Sequence, residues 1–200
     1  MLAAAEELNA LMQKHGTDKG TPGNSYQEYY ASLFNNSRIA IKGLLEIGVY
    51  KGASLLLWRE WFPMAKIIGL DIYPAYLKDF GDRITTEYCD QSSEESLKSI
   101  AEKYTNLDII IDDGSHVFAH QIVSFNTLFP CLRPGGWYVI EDTFLTDKWE
   151  GEAGKIFYKM QEISVSMSRY KAALRSPIAE QIYSITFFDS LIAIQRKETQ

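Results

Sequence analysis

Two groups of acidic side chains each follow a run of apolar residues. The first stretch is Ile109 to His116, which reads Ile-Ile-Ile-Asp-Asp-Gly-Ser-His, and the second is Gly136 to Asp142, which ends in Glu141-Asp142. Short β-branched apolar runs bounded by turn signals predict strands that are buried on both faces of a parallel sheet. Ligands bind at the carboxyl ends of the strands in open α/β sheets, so these acids lie where chemistry is expected.

The carboxylates of Asp113, Glu141 and Asp142 converge if the two predicted strands are neighbours, because adjacent strands lie about 5 Å apart. Three carboxylates at that separation repel one another unless they are protonated or bridged by a cation. Hard divalent cations prefer oxygen ligands. The sequence therefore predicts a divalent-cation site, with His116 beside it as a base.

Zinc is a poorer match to the same residues. His116 and His120 have the spacing of two ligands on one helical face, but Val117 stands where a zinc-protease motif has glutamate. Cys89 and Cys131 form no CxxC pair, which argues against zinc, redox chemistry or a disulfide scaffold. Both cysteines are expected to be small buried apolar residues.

The acidic groups belong to a longer alternation of strands and helices, which is typical of a parallel, doubly wound α/β sheet. Five strands are predicted before a change of pattern, at Leu44 to Val49, Lys66 to Asp71, Ile84 to Cys89, Leu107 to Asp112 and Gly136 to Asp142. Helices are predicted at Leu2 to Lys14, Tyr26 to Phe34, Ala53 to Phe62, Ser92 to Tyr104, Val117 to Phe129 and Lys155 to Leu174, with a further helical segment opening at Pro74. A terminal antiparallel hairpin, Gln181 to Phe187 with Leu191 to Arg196, brings the strands to seven.

Composition suits one compact domain over residues 1–200, with a helical and loop cap at 1–40 and the core at 41–200. The chain is 46% hydrophobic, and no stretch is long and apolar enough to span a bilayer. A net charge of −6 without a long Lys/Arg cluster disfavours nucleic acid as the partner. Met1 to Ala10 lacks the pattern of a secretory signal, so a cytoplasmic location is expected.

A glycine turn after the first strand could let a cofactor approach the backbone. Gly48 and Gly52 lie in this turn, but Tyr50 and Ala53 replace the second and third glycines of the dinucleotide G-x-G-x-x-G pattern. Asp71, at the end of the second strand, is placed to accept hydrogen bonds from ribose hydroxyls. Asp90-Gln91, after the third strand, are placed to hold the exocyclic amine of an adenine.

These features together resemble a class I S-adenosylmethionine-dependent methyltransferase. More narrowly, the chain resembles the macrolide sugar O-methyltransferases of the macrocin and mycinamicin type and their cephalosporin-hydroxylase-like relatives. The residues that carry the resemblance are His15-Gly16-Thr17-Asp18-Lys19, Asp112-Asp113-Gly114-Ser115-His116, Pro134-Gly135-Gly136 and Val139-Ile140-Glu141-Asp142. A Rossmann-like, mostly parallel seven-stranded sheet is the fold that this resemblance implies.

The resemblance implies a Mg²⁺ ion held by Asp113, Glu141 and Asp142, with His116 as general base. It also implies that S-adenosylmethionine lies across the strand ends, with candidate contacts at Thr17, Glu46, Gly48, Asp71, Ile72, Asp90, Gln91, Asp112 and Asp113. The expected acceptor is a small molecule, a hydroxyl of a sugar diol on a natural product. The polar segment Thr143 to Gly154 is expected to cover that acceptor, with Trp149 stacking on the sugar.

Two alternatives remain open from the sequence. A catechol-type metal-dependent O-methyltransferase shares the fold and the cation but uses lysine as its base, and His116 speaks against it. A non-catalytic, cofactor-binding partner of a hydroxylase is the other alternative. The sequence leaves the assembly state open, a homo-oligomer included.

Overall fold

The computed structural model describes residues 2–143, 153–167 and 177–198. The chain divides into two compact units, Met1–Tyr88 and Cys89–Gln200. Within the described residues, no helix has the length and apolar character that crossing a membrane requires.

The first unit combines three helices with three parallel strands. Strand β1 (Gly43–Ile47) pairs in parallel with β2 (Lys66–Asp71), which pairs in parallel with β3 (Ile84–Tyr88). The helices are α1 (Leu2–His15), α2 (Gln27–Phe34) and α3 (Ala53–Trp61). These bounds confirm the three strands and three helices that were predicted for this part of the sequence.

Aromatic side chains form much of the core of the first unit. The rings of Tyr30 and Trp58 lie 4.8 Å apart, and Phe34 meets Phe62 edge-on at 6.0 Å. All four side chains are at most 1% exposed. Each buried ring contributes about 1.5–3 kcal/mol, so the two N-terminal helices are an integral part of the packing of this unit.

The second unit begins with helix α4 (Glu94–Lys103), whose first turn is capped by the Ser93 hydroxyl accepting from the Ser96 N–H at 3.2 Å. Strand β4 (Leu107–Asp112) follows, and all six of its residues are buried, as expected of a strand covered on both faces. The remaining elements are α5 (Phe118–Leu128), β5 (Leu132–Glu141), α6 (Ala153–Ser166), α7 (Pro177–Gln181), β6 (Ile182–Phe188) and β7 (Leu191–Arg196).

The seven strands are hydrogen-bonded in the order β3-β2-β1-β4-β5-β7-β6. β4 and β5 run in parallel, whereas β7 is antiparallel to both β5 and β6. Asp189 and Ser190 form the two-residue turn of the terminal hairpin, where Ser190 has a φ of 60°. The predicted Rossmann-like sheet with its C-terminal antiparallel hairpin is therefore confirmed.

The structure differs from the sequence prediction in two elements. The helical segment expected at Pro74 is only a three-residue 3-10 turn, Pro74–Tyr76. The chain beyond it runs to Phe80, whose ring would lie 2.1 Å from a Cβ placed on Gly52, so this ring packs closely against the glycine. β5 begins at Leu132, four residues before the predicted start, with an irregularity in its pairing with β4.

Part of the predicted acceptor-covering segment lies outside the described residues. Residues 144–152, which include Trp149, are not described, and neither is the end of the helix predicted to reach Leu174. The roles expected of Trp149 and its neighbours therefore stay predictions.

Candidate active site

Asp113, His116 and Asp142 come together just beyond the ends of β4 and β5. One potential ligand atom from each of the three lies within 4.8 Å of those of the other two, and all three residues are half-buried. The parallel register, with Asp112 opposite Ile140, brings the residues that follow each strand to the same edge. We call these three residues the carboxylate–histidine group.

Two members of this group have unusual backbone geometry. His116 has a φ of 56° and Asp142 a φ of 55°, in the left-handed region that non-glycine residues rarely adopt. Nε2 of His116 lies 3.7 Å from Oδ2 of Asp142. Nδ1 of His116 is buried and has no hydrogen-bond partner among the described residues. Such strain concentrates at functional sites, which supports a chemical role for the group.

Glu141 was predicted to be a third cation ligand beside Asp113 and Asp142. It is the last residue of β5, is paired opposite Leu191, and is 1% exposed. The group found among the described residues contains His116 in addition to the two aspartates and does not include Glu141. The role of Glu141 as a metal ligand stays a prediction.

Asp112 faces the protein interior at the end of β4. Its Oδ1 accepts from Nε2 of Gln91 at 2.7 Å, and its Oδ2 accepts from the hydroxyl of Tyr138 at 3.3 Å. Burial is the main cause that raises the pKa of Asp112 to about 6, while bonds from Gln91 and from the Gly114 backbone oppose that rise. The carboxylate predicted to contact the cofactor is thus engaged with protein donors.

Asp90 and Gln91 follow β3, as predicted, and differ in what their side chains bind. Oδ1 of Asp90 accepts from the Ser92 hydroxyl at 2.6 Å and from the Ser92 N–H at 2.8 Å. These two bonds lower the pKa of Asp90. Gln91 is 7% exposed, and both ends of its amide are bonded within the protein. Asp90 is therefore the more accessible candidate for binding an adenine amine.

Asp71 connects the two turns that follow β1 and β2. Its Oδ2 accepts from the backbone N–H groups of Val49 and Tyr50 at 2.9 and 3.0 Å, and its Oδ1 accepts from the Tyr73 N–H at 2.9 Å. Gly48 begins the first turn with a φ of 100°. Three of about four lone-pair positions of the carboxylate are in use, which leaves room for one further donor such as a ribose hydroxyl.

Ile72, also predicted to contact the cofactor, follows Asp71 at the surface and is 42% exposed. Tyr50 and Tyr73 are exposed as well, and each meets the ring of Tyr76, at 5.3 and 5.8 Å respectively. The ends of β1 and β2 thus carry an aromatic surface that the sequence analysis did not predict. The tyrosines lie in two separate turns, so no local sequence pattern predicts that their rings form one surface.

Glu46 is fully buried on β1 and forms a polar cluster with two partners that were not predicted from the sequence. Its Oε2 accepts from the hydroxyl of Ser54 at 2.8 Å, and its Oε1 lies 3.6 Å from Nζ of Lys19. Thr17, half-buried at the start of the loop that carries Lys19, accepts from the Lys19 N–H at 3.3 Å. Glu46 therefore connects β1 to the Thr17–Ser25 loop from inside the protein.

The chain was compared with families and proteins of known function. A family model described as "Methyltransferase domain" matches residues 45–143. The mycinamicin VI 2''-O-methyltransferase of Micromonospora griseorubida is 40% identical over 157 residues, which cover 74% of this chain and 39% of that protein. The chain belongs to the methyltransferase family.

A second relative within the family is the 8-demethyl-8-(2-methoxy-alpha-L-rhamnosyl)-tetracenomycin-C 3'-O-methyltransferase of Streptomyces olivaceus. It is 39% identical over 143 residues, covering 68% of this chain and 36% of that protein. The match to each of these two relatives thus spans well under half of the relative's own length.

Solved structures of the family agree with the fold. The MycE methyltransferase of the mycinamycin biosynthetic pathway, in complex with Mg and SAH, has a TM-score of 0.81 and 31% identity, covering 96% of this chain and 55% of that one. A second structure of the same protein, which also contains mycinamycin VI, has a TM-score of 0.80. The matched family segment, residues 45–143, contains all three residues of the carboxylate–histidine group.

Proposed function

We propose that this chain transfers the methyl group of S-adenosylmethionine to a sugar hydroxyl of a glycosylated natural product, in a reaction that depends on Mg²⁺. The observation that carries the proposal is the carboxylate–histidine group at the strand ends of a methyltransferase-family chain. The relatives are named for O-methylation of such compounds, and the MycE structures contain Mg and SAH.

The donor set fits a hard divalent cation. Asp113 and Asp142 offer carboxylate oxygens, which Mg²⁺ prefers, and the family resemblance adds Glu141 as a third. When bound, the cation lowers the pKa of a coordinated hydroxyl and orients it for reaction. The half-buried position of Asp113 and Asp142 keeps them open to an incoming acceptor.

His116 is proposed as the general base. Its Nε2, which faces Asp142, accepts the hydroxyl proton as the acceptor oxygen forms its bond to the methyl carbon and the bond from that carbon to sulfur breaks. A neutral imidazole is suited to this role because one of its two ring nitrogens carries no proton and can accept one.

Cofactor contacts are proposed at Thr17, Gly48, Asp71, Ile72 and Asp90, which lie in loops or at strand ends. The carboxylate of Asp71 retains capacity for a ribose hydroxyl, and Asp90 remains accessible for adenine. Glu46, Gln91 and Asp112 have side chains that are already bonded within the protein. We propose that these three residues support the structure of the site and do not contact the cofactor.

The acceptor is proposed to present two adjacent hydroxyls. Asp113, Glu141 and Asp142 would hold the Mg²⁺ ion, and a vicinal diol could supply two further oxygen ligands to it. Two attachments fix which oxygen faces the methyl donor, whereas one leaves it free to rotate. A glycoside and its analogue lacking the neighbouring hydroxyl should therefore differ in kcat/KM, and equal values would contradict chelation.

The direct test is transfer of a labelled methyl group from S-adenosylmethionine to a panel of glycosylated macrolides and catechols, with Mg²⁺ or with EDTA. We expect Mg²⁺-dependent labelling of glycosides. Labelling of catechols alone would support the catechol-type alternative. Binding of S-adenosylhomocysteine without turnover of any acceptor would support a non-catalytic partner.

A further inference from the structure

Gln91 connects the two ends of the turn that carries Asp113. Its Nε2 donates to Oδ1 of Asp112 at 2.7 Å, and its Oε1 accepts from the backbone N–H of Ser115 at 2.9 Å. The amide thus bridges residues 112 and 115, with Asp113 and Gly114 between them. Gln91 is 7% exposed, so both bonds form largely away from water.

The turn from Asp112 to His116 is held by hydrogen bonds from residues outside the turn. It joins the last residue of β4 to the start of α5, and it contains His116 with its left-handed φ of 56°. Left-handed backbone costs a non-glycine residue about 1–2 kcal/mol. The hydroxyl of Ser115 bonds Nδ1 of His120 at 2.9 Å, which holds the turn to α5 on its other side.

We propose that Gln91 is a positioning residue that holds Asp113 and His116 in the geometry needed to bind the cation. The inference rests on the proposed function, because it concerns the same cation site. It gives Gln91 a role different from contact with adenine, since both polar ends of the amide already have partners in the protein.

The amide is well matched to this position. A glutamate would keep the acceptor for the Ser115 N–H but would place a carboxylate against Asp112 in place of a donor. A methionine would keep the approximate size and lose both bonds. Residues that orient metal ligands typically change metal affinity by about 10- to 100-fold when replaced, and we expect losses of this size in both variants.

The experiment measures Mn²⁺ affinity by electron paramagnetic resonance and S-adenosylhomocysteine affinity by calorimetry, on the full chain, for wild type, Gln91→Glu and Gln91→Met. Gln161→Glu, on the exposed face of α6, controls for the added charge. We expect weaker Mn²⁺ binding by about 10- to 100-fold in both Gln91 variants, with S-adenosylhomocysteine affinity changed less than about threefold. Gln161→Glu should match wild type in both measurements.

A double variant tests the bond between Gln91 and Asp112 directly. In Gln91→Glu with Asp112→Asn the donor and acceptor exchange places, so an amide N–H again meets a carboxylate and the Ser115 N–H keeps its acceptor. Mn²⁺ affinity should recover towards that of wild type. A role that depends only on side-chain size gives no such recovery.

Several outcomes would overturn the inference. Unchanged Mn²⁺ affinity in Gln91→Met would contradict the positioning role. Loss of S-adenosylhomocysteine binding with Mn²⁺ binding intact would instead indicate that Gln91 contacts the adenine. Unfolding of both single variants by circular dichroism would make Gln91 a residue of general stability. Failure of the wild-type chain to bind Mn²⁺ at all would instead contradict the proposed function itself.

Discussion

His116 is half-buried with its Nδ1 fully buried, and substitution of this residue is the most direct test of the proposed chemistry. His116→Ala should lower kcat by about 10²–10⁴-fold, the usual contribution of a positioned general base. The affinity for S-adenosylhomocysteine should stay unchanged because the ring is not placed among the cofactor contacts. Labelled methyl transfer and calorimetry measure the two quantities, with Ser164→Ala on the exposed face of α6 as the control. Wild-type turnover in a folded His116→Ala protein would exclude this role.

Asp71 should affect both stability and cofactor binding, because its carboxylate accepts three backbone N–H groups in addition to its proposed ribose contact. A hydrogen bond to a charged group contributes about 1.5–3 kcal/mol. Asp71→Ala should therefore lower the melting temperature and weaken S-adenosylhomocysteine binding by about 10- to 100-fold.

Thermal unfolding and calorimetry separate the two effects of the Asp71 substitution. Asp82→Asn is the matched control, since the Asp82 side chain is 84% exposed. A variant of Asp71 with a lower melting temperature and wild-type affinity would show that the carboxylate serves the turns alone.

The sequence predicted where the candidate site residues lie better than what their side chains bind. Asp113, Asp142 and His116 were found because they follow apolar strands, and strand ends meet at one edge of a parallel sheet. The partners of Glu46 and Gln91 were not predicted, because ion pairs and hydrogen bonds between residues more than 20 positions apart leave no local pattern. Glu46 with Lys19 and Gln91 with Asp112 are both of this kind.

Among the elements, the loop from Thr17 to Ser25 is joined to β1 by a buried ion pair. Lys19 is 1% exposed and Glu46 0% exposed, with Nζ and Oε1 3.6 Å apart. Removing one partner of a buried ion pair typically costs about 3–5 kcal/mol. Lys19→Met should therefore lower the free energy of unfolding by about this amount in chemical denaturation.

Lys14→Met provides the matched control for Lys19→Met. Lys14 pairs with Glu60 at 2.8 Å, but these side chains are 58% and 40% exposed, and exposed pairs contribute little. The double variant Lys19→Met with Glu46→Leu should recover part of the loss, because neither charge then remains buried alone. Equal, small effects of Lys14→Met and Lys19→Met would contradict a structural role for the buried pair.

Element prediction succeeded where local patterns decide the structure and failed where distant contacts do. β4 was predicted with its observed bounds because a run of apolar β-branched residues between turn signals has few alternatives. The segment after Pro74 was predicted as helical from its proline, but it contains only a 3-10 turn followed by irregular chain, in which Phe80 packs against Gly52. That contact joins residues 28 positions apart and is invisible to a local pattern.

For the whole molecule, the two cysteines report on global unfolding. Cys89 and Cys131 are free thiols that are 3% and 7% exposed, and burial raises the pKa of both. A raised pKa means less thiolate at a given pH, and the thiolate is the nucleophile. At pH 8 the native protein should react very slowly with a disulfide reagent such as DTNB, and two thiols should react after unfolding in guanidinium. Rapid reaction of either thiol in the native protein would contradict this burial.

The left-handed backbone at His116 and Asp142 affects which substitutions would be enriched when variants of this protein are selected for thermal stability. Glycine at either position would remove a conformational cost of about 1–2 kcal/mol, while also removing a member of the carboxylate–histidine group. A library of variants selected only for thermal stability should therefore accumulate glycine at these two positions and lose the proposed activity. Such a trade-off between stability and activity is common in proteins. Libraries designed to raise the thermal stability of this protein should therefore leave His116 and Asp142 unchanged.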